Sequence, residues 1–350
     1  TKYNWWDSKY TNAVPTPNMT SLANPDLTWE RTASTNVGFD LTVLKNRITL
    51  SADYYYKKTT DMLMTISLPK GSAPASSISF NGGTMVNKGF ELTLDTHNLT
   101  GKFQWDSNFN ISFNRNELKS LRLTQVYSSV TTNENANEQV VRNEPGRPVG
   151  CFYGYISDGV DPETGDLMYR DINHDGTINA SDRTYIGDPN PDFTFGFTNN
   201  FSYKGINLNI LLQGSYGNDI YNASRMDTEG MYDGKNQTTN VLRRWRIPGQ
   251  ITDVPRAGFT QHNSSYYVED GSYLRVKSVT LSYDVPRQLL KKIHFTRLMP
   301  FFTATNLFTI TGYKGMDPEI NQYGNGSVQG IDWGTYPLNR SFTIGLKAEF

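Results

Sequence analysis

The 350-residue chain is nearly neutral, with 33 basic and 34 acidic residues, and 13% of its side chains are aromatic. It has no basic stripe of the kind that binds nucleic acid, and no stretch approaches the ~20 apolar residues of a membrane-spanning helix. A single cysteine, Cys151, excludes a disulfide framework within the chain and a cysteine metal knuckle.

Alternation of apolar and polar residues with a period of two recurs along the chain and predicts strands with two unlike faces. The alternating segments are 35–43, 48–56, 90–95, 103–113, 193–203, 206–216, 274–285, 298–310 and 341–350. In the seventh segment the apolar face changes parity after Val276, which predicts a β-bulge. The phase of the eighth segment is ambiguous. About nine strands are therefore predicted.

The connections between these strands alternate between short and long. The short ones lie near Lys45, Leu99, Lys204 and Pro286–Arg297, and the long ones at Asp61–Thr84, Glu117–Pro191, Asn218–Gly271 and Gly312–Pro337. This asymmetry is typical of transmembrane antiparallel β-barrels, which have short periplasmic turns and long extracellular loops. A β-sandwich shares the alternating faces but not the asymmetry. The sequence thus predicts an all-β transmembrane barrel with long extracellular loops.

Three consecutive tyrosines, Tyr54, Tyr55 and Tyr56, precede Lys57 and Lys58 in the second segment. Aromatic residues are enriched where a membrane protein meets the headgroup region. We therefore expect the three tyrosines to form part of the outer aromatic girdle.

Several segments of the chain, taken in order, carry a family resemblance. They are NPDLTWERTASTNVGFDL from Asn24, DYYYKKTTDML from Asp53, MVNKGFEL from Met85, FYGYISDGV from Phe152, DINHDGTINASDRTYIGDPNPDFTFGF from Asp171, YLRVKSVTLSYDVP from Tyr273, NLFTITGYKGMDPEI from Asn306 and the terminal RSFTIGLKAEF. Together they resemble the C-terminal barrel of SusC/RagA-type TonB-linked outer-membrane proteins of Bacteroidetes, a family of TonB-dependent transporters.

The resemblance implies that residues 1–350 are the C-terminal part of a 22-stranded barrel, and that the N-terminal plug and the first strands are absent from the chain. It implies a non-enzymatic importer of oligosaccharides or peptides in the bacterial outer membrane. The implied partners are a SusD-like surface lipoprotein, TonB acting through the absent plug, and outer-membrane lipid, with no nucleic acid.

Within the predicted extracellular loop 117–191, residues 171–182 match a calcium-binding loop. Oxygen ligands stand at loop positions 1, 3, 5, 9 and 12, with glycine at position 6 and a backbone carbonyl at position 7. The predicted ligands of a structural Ca²⁺ are Asp171, Asn173, Asp175, Asn179, Asp182 and the carbonyl of Thr177. An Asx-rich turn without metal is the alternative.

Catalysis has little support in the sequence. The four histidines are scattered, and the carboxylate pairs Asp161 with Glu163 and Asp317 with Glu319 adjoin prolines in turns. Aromatic residues in the predicted loops are expected either to stack on a substrate or to pack the loops against one another. They are Trp5, Trp6, Trp333 and Tyr336. Two other functions remain open. One is a secreted calcium-containing β-sandwich that binds or hydrolyses carbohydrate, and the other is a smaller autonomous barrel serving as an adhesin or pore.

Overall fold

Nine long strands dominate the computed structural model, which describes residues 2–4, 18–69, 73–122, 126–127, 138–290, 295–320 and 329–350. The strands are β1 (Arg31–Val43), β2 (Ile48–Ser67), β3 (Ser77–Thr100), β4 (Phe103–Leu121), β5 (Phe193–Tyr203), β6 (Ile206–Tyr216), β7 (Tyr273–Tyr283), β8 (Arg297–Thr311) and β9 (Ser341–Glu349). They form one antiparallel sheet in chain order, from β1 at one edge to β9 at the other. The nine predicted strands are confirmed.

The remaining elements are short. The helices are α1 (Ser224–Gly230) and α2 (Arg287–Leu290), with 3₁₀ turns at Ala180–Asp182, Thr239–Arg243 and Ser265–Tyr267. The short strands are Lys2–Asn4, Asn18–Ser21, Val126–Tyr127, Arg142–Asn143, Phe152–Gly154, Ser157–Val160, Leu167–Tyr169, Thr184–Gly187, Asp219–Asn222, Val268–Asp270 and Ile331–Asp332. Among the described residues, no helix is both long and apolar enough to cross a membrane.

The strand register sorts side chains onto two unlike faces. Directly paired residues point to the same side of a sheet, so a register row can be followed from strand to strand. One row across β1–β8 is apolar throughout: Leu41, Leu50, Leu94, Phe109, Phe197, Leu212, Val276 and Phe308. The adjacent row, on the opposite face, contains Asp40, Ser51, Thr93, Asn110, Gly196, Gln213, Arg275 and Thr309. One apolar and one polar face is the pattern of a transmembrane barrel wall.

Aromatic side chains cluster at two levels of the apolar face. At one level Phe113 contacts Phe193, which stacks on Tyr216 with ring centroids 5.2 Å apart. At the other level Phe103 and Trp105 lie beside Phe201. Ten residues of β4 separate Phe103 from Phe113, about 33 Å along the strand and about 24 Å along the normal of a tilted barrel. This spacing matches the ~25 Å lipid-facing band between two girdles.

The three consecutive tyrosines divide between the faces. Tyr54 is paired with Val37 and Phe90 and lies with Tyr56 on the apolar face, where both are exposed. Tyr55 points to the polar face, and its hydroxyl donates to Oδ1 of Asn114 at 2.8 Å. The prediction that all three belong to the girdle is therefore wrong for Tyr55, because neighbouring residues of a strand must alternate.

The predicted bulge in β7 is confirmed. The register slips between Val276 and Ser278 against both neighbouring strands. Lys277 is the extra residue against β6, whereas on the other side Lys277 faces two residues of β8, Asn306 and Leu307. Because of this slip, Val276 and Val279 both lie on the apolar face, which explains the change of parity in the sequence.

The predicted long loop at Asp61–Thr84 is wrong. β2 and β3 continue their ladder to the Ser67–Ser77 pair, so that the connection spans only 68–76. Register shifts between Thr59 and Leu63 change which residues lie on the apolar and polar faces, and the strand pairing resumes beyond them. The alternation in the sequence is lost there, although the strands continue. The other three long connections remain, at 122–192, 217–272 and 312–340.

Candidate functional site

The three long connections share one hydrophobic core. Its fully buried members are Val140, Val141, Phe152, Tyr221, Ala223, Met226, Tyr267 and Ile331, with Trp333 packed against them. Each of these residues belongs to a connection and none to β1–β9. We call the described parts of these three connections the loop body. Burial of each large apolar side chain contributes about 1.5–3 kcal/mol, so the connections stabilise one another as a single folded unit.

Short strands join the three connections within the loop body. Asp219–Asn222 pairs antiparallel with Val268–Asp270 and parallel with Ile331–Asp332. Phe152–Gly154 pairs with Thr184–Gly187, and an isolated bridge links Tyr155 to Ser264. Backbone groups of residues more than a hundred positions apart thus satisfy one another.

A charged network lies inside the loop body. Nε of Arg225 donates to Glu229 at 3.0 Å, and its Nη1 donates to Glu269 at 3.2 Å. Glu229, which is only 2% exposed, also accepts from Oγ1 of Thr238 at 3.1 Å and from Nδ2 of Asn240 at 2.8 Å. With its hydrogen bonds satisfied, the pair holds α1 against the strand Val268–Asp270.

A second network fastens the last long connection to the barrel wall. On the polar face of β7, Nη2 of Arg275 donates to Oδ1 of Asp317 at 2.6 Å and Nη1 donates to Glu319 at 2.8 Å. Lys277, the bulge residue, reaches the same Glu319 at 3.0 Å. Burial raises the pKa of Asp317, but the N–H of Glu319 and the Arg275 guanidinium outweigh it and hold the pKa below its usual value.

The loop 171–182 folds around its own backbone. Oδ2 of Asp171 accepts the N–H of Gly176 at 2.8 Å, and Oδ1 of Asp175 accepts that of Thr177 at 2.8 Å. The chain reverses through left-handed residues at His174, with φ 59°, and at Gly176, with φ 79°. This turn brings the first position against the sixth and the fifth against the seventh.

Asp182 closes the loop. Its fully buried carboxylate accepts the N–H groups of Ile172 at 2.9 Å and Asn179 at 2.8 Å. The hydrogen bond from Asn179 is the main reason that the pKa of Asp182 lies below its usual value. Oδ1 of Asp171 is also buried, and no hydrogen-bond donor reaches it from the described residues.

Apart from Oδ1 of Asp171, the carboxylate oxygens of the loop accept hydrogen bonds from its own N–H groups and amides. Nδ2 of Asn173 donates to Asp175 at 2.9 Å, and Nδ2 of Asn179 donates to the Thr177 carbonyl at 3.0 Å. Within the part of the chain that is described, no three His, Cys, Asp or Glu side chains form a metal-holding group. Calcium binding by the six predicted ligands therefore stays a prediction.

The remaining sequence candidates fall into different settings. Trp333 packs on the loop-body core, whereas Tyr336 is 82% exposed; Trp5 and Trp6 lie outside the described residues. Asp161 accepts the N–H of Glu163 at 2.9 Å, as expected of a turn. Sequence reasoning also placed Asp317 in a turn and missed its ion pair with Arg275, 42 positions away.

A comparison with protein families places the chain. A family model described as "TonB dependent receptor-like, beta-barrel" matches residues 3–306. The chain belongs to this family of TonB-dependent receptor β-barrels. It is an outer-membrane protein, and the resemblance to SusC/RagA-type proteins is confirmed.

Relatives and solved structures agree with this assignment. TonB-dependent receptor P3 of Formosa agariphila is 34% identical over 95% of this chain and 35% of its own length. TonB-dependent receptor SusC of Bacteroides thetaiotaomicron is 28% identical over 100% of this chain and 34% of its own. The structure of the RagAB peptide transporter superposes with a TM-score of 0.84 at 25% identity and covers 100% of this chain and 38% of the solved one. The chain thus spans about a third of the length of these relatives.

The Arg275 network offers a direct test of how the last connection is held. Arg275→Met should free residues 312–320, because two carboxylates lose their buried partner at a cost of about 3–5 kcal/mol. Amide hydrogen exchange in the bilayer-inserted protein should show faster exchange throughout this segment.

The matched control is Arg243→Met, which breaks the exposed Arg243–Asp253 pair. Exposed pairs contribute at most ~1 kcal/mol, so exchange should change little. Equal effects of the two substitutions would show that the Arg275 network does not anchor the connection.

Proposed function

We propose that the chain forms part of the wall and the outer entrance of a TonB-dependent nutrient importer for oligosaccharides or peptides. The observation that carries the proposal is the combination of an amphipathic nine-stranded wall with three long connections folded into one loop body. The match over the whole chain to the RagAB peptide transporter supports it. The wall supplies a polar passage, and the loop body supplies the surface that meets a substrate.

The chain spans about a third of the length of these relatives, and a whole transporter of their length has room for further strands and a plug. We propose that the nine strands belong to a 22-stranded barrel, since the sheet is open at β1 and β9 and nine strands of this length do not close around a plug. An N-terminal plug would fill the lumen and receive energy from TonB. In this arrangement the protein is a non-enzymatic transporter.

The secreted β-sandwich fits less well. A sandwich buries its apolar faces between two packed sheets. Here the nine long strands form one sheet, and many outward apolar side chains are exposed, such as Phe39 at 58% and Ile344 at 85%. Such a surface is compatible with lipid and not with water.

A SusD-like surface lipoprotein is the proposed partner and would cap the entrance. The loop body exposes large apolar side chains that its own core leaves uncovered: Leu242 at 67%, Ile247 at 66% and Ile251 at 94%. Exposed apolar groups in one segment mark protein contact surfaces.

The partner is testable by substitution in this segment. Ile251→Arg combined with Leu242→Arg should reduce the lipoprotein recovered with the detergent-extracted barrel by tenfold or more, because two charges would be buried in the contact. Quantitative mass spectrometry of the purified complex measures the recovery. Asn236→Arg, at an exposed polar position of the same connection, is the control. Unchanged recovery with the double variant would contradict this contact.

We also propose that the loop 171–182 binds Ca²⁺ in a structural role. Its donors are hard oxygens, which suit calcium, and Asp171 retains a buried oxygen without a hydrogen-bond donor among the described residues. Extracellular calcium modules bind in the range of about 10⁻⁴–10⁻³ M.

Protease protection tests the calcium proposal. Millimolar calcium should slow cleavage within residues 171–182 relative to chelator, and Asp175→Ala should abolish this difference while the barrel stays inserted. Glu163→Gln, in the neighbouring exposed turn, should retain it. A wild-type protein whose cleavage rate is the same with calcium and with chelator would refute the proposal.

A further inference from the structure

At the end of the sheet that carries the short turns, neighbouring hairpins extend to different lengths, so that the rim of the sheet has a step. The β1–β2 hairpin ends in the turn 44–47, where Ile48 pairs with Thr96. The neighbouring β3–β4 hairpin runs on to Thr100, four residues or about 13 Å further. A cleft of about 500 Å³ lies at this step, between the turn and the end of β3. We call it the rim cleft.

Two cations line the rim cleft. Nε of Arg47 donates to the carbonyl of His97 at 3.1 Å, and its Nη2 donates to that of Asn98 at 2.8 Å, which fixes the guanidinium at neutral acceptors. Lys45 is exposed two residues earlier in the same turn. Among the described residues, no carboxylate forms an ion pair with either side chain. The cleft therefore carries two positive charges that the protein itself does not neutralise.

The turn that presents these charges has an unusual backbone. Leu44, Lys45 and Asn46 have φ values of 53°, 56° and 65°, a left-handed conformation that residues with a Cβ rarely adopt in succession. The Arg47 N–H closes the turn on the Val43 carbonyl at 3.2 Å. As a result, Leu44 is 66% exposed at the mouth of the cleft, beside the cationic side chains.

Polar atoms continue from the cleft onto the lipid-facing surface. The register row that begins with Val43 and Ile48 passes through Thr96, Ser107 and Asn199. Ser107 and Asn199 of this row are joined by a hydrogen bond, in which Oγ of Ser107 donates to Oδ1 of Asn199 at 2.8 Å, and Nδ2 of the neighbouring Asn98 donates to Oγ of Ser107 at 2.9 Å. This break in an apolar face indicates the level of the lipid headgroups.

The aromatic girdle supports that level. Nε1 of Trp105 donates to the same Asn199 oxygen at 2.9 Å, and the ring stacks on Phe201. Tryptophan concentrates where one end of its ring system is apolar and the other meets polar headgroups. The rim cleft thus lies at the membrane boundary, with Ile48 on the lipid-facing side of the sheet.

We propose that the rim cleft binds the phosphate of an anionic glycerophospholipid in the periplasmic leaflet. Lys45 and Arg47 would pair with the phosphodiester, and the acyl chains would lie along Leu44 and the apolar face of β1 and β2. The assignment to this leaflet rests on the proposed function, in which the short turns face the periplasm.

Lipid retention tests the proposal without measuring transport. The full-length protein is placed in nanodiscs of phosphatidylglycerol and phosphatidylethanolamine, extracted with mild detergent and analysed by native mass spectrometry. Wild-type protein should retain phosphatidylglycerol selectively. The double variant Lys45→Gln, Arg47→Gln should bind it about 30-fold more weakly, since each basic group near an anionic surface contributes about a fivefold factor.

Two further variants separate charge from folding. Arg47→Lys keeps the charge but not the paired carbonyl contacts, and it should retain the lipid within about fivefold. Lys204→Gln removes a cation from another turn at the same rim and should behave as wild type. Equal retention by the double variant, a lack of preference for phosphatidylglycerol, or displacement of the lipid by 10 mM inorganic phosphate would each overturn the proposal. None of these readouts depends on the lid or on import, so failure of the proposed function would be distinguishable.

Discussion

A lipid bilayer offers no partner for an exposed backbone N–H or C=O, and this constraint governs the rest of the structure. From β1 to β9 each strand meets it by pairing antiparallel with the next strand along the chain, with bulges in several of the pairs. Once the ladder is fixed, side chains must alternate between lipid and lumen, which gives the apolar row through Phe109 and the polar row through Asn110. The composition stays polar on average because only every second strand residue meets lipid.

Outside the bilayer the chain is stabilised as a globular domain is, by a buried apolar core. The three long connections bury their own core around Phe152, Tyr221 and Tyr267, and they satisfy backbone groups by short strands between distant segments. Arg275 connects the sheet with the loop body, because it lies on β7 and forms an ion pair with Asp317 of the last connection.

Whether a feature could be predicted from the sequence depends on how far apart along the chain the interacting residues lie. Alternation and tight turns are local, so the nine strands, the turns at Lys45 and Lys204 and the bulge at Lys277 could be predicted. The extension of β2 and β3 beyond Asp61 could not, because bulges shift the two faces while the ladder continues. The loop-body core and the Arg275–Asp317 pair depend on residues tens to more than a hundred positions apart, which no local pattern reveals. The hydrogen bonds of loop 171–182 are local, and its turn could accordingly be expected from the spacing of its Asp, Asn and Gly residues.

Arginine substitution on the two faces of β4 tests the amphipathic wall most directly. Phe109 and Asn110 are neighbours in the middle of the strand and point to opposite sides. An arginine in the lipid midplane costs about 2–4 kcal/mol, whereas one in a polar lumen costs far less. Denaturant unfolding of the bilayer-inserted protein should therefore show Phe109→Arg destabilised by that amount and Asn110→Arg within about 1 kcal/mol of wild type. The opposite ranking, or equal losses, would contradict the account.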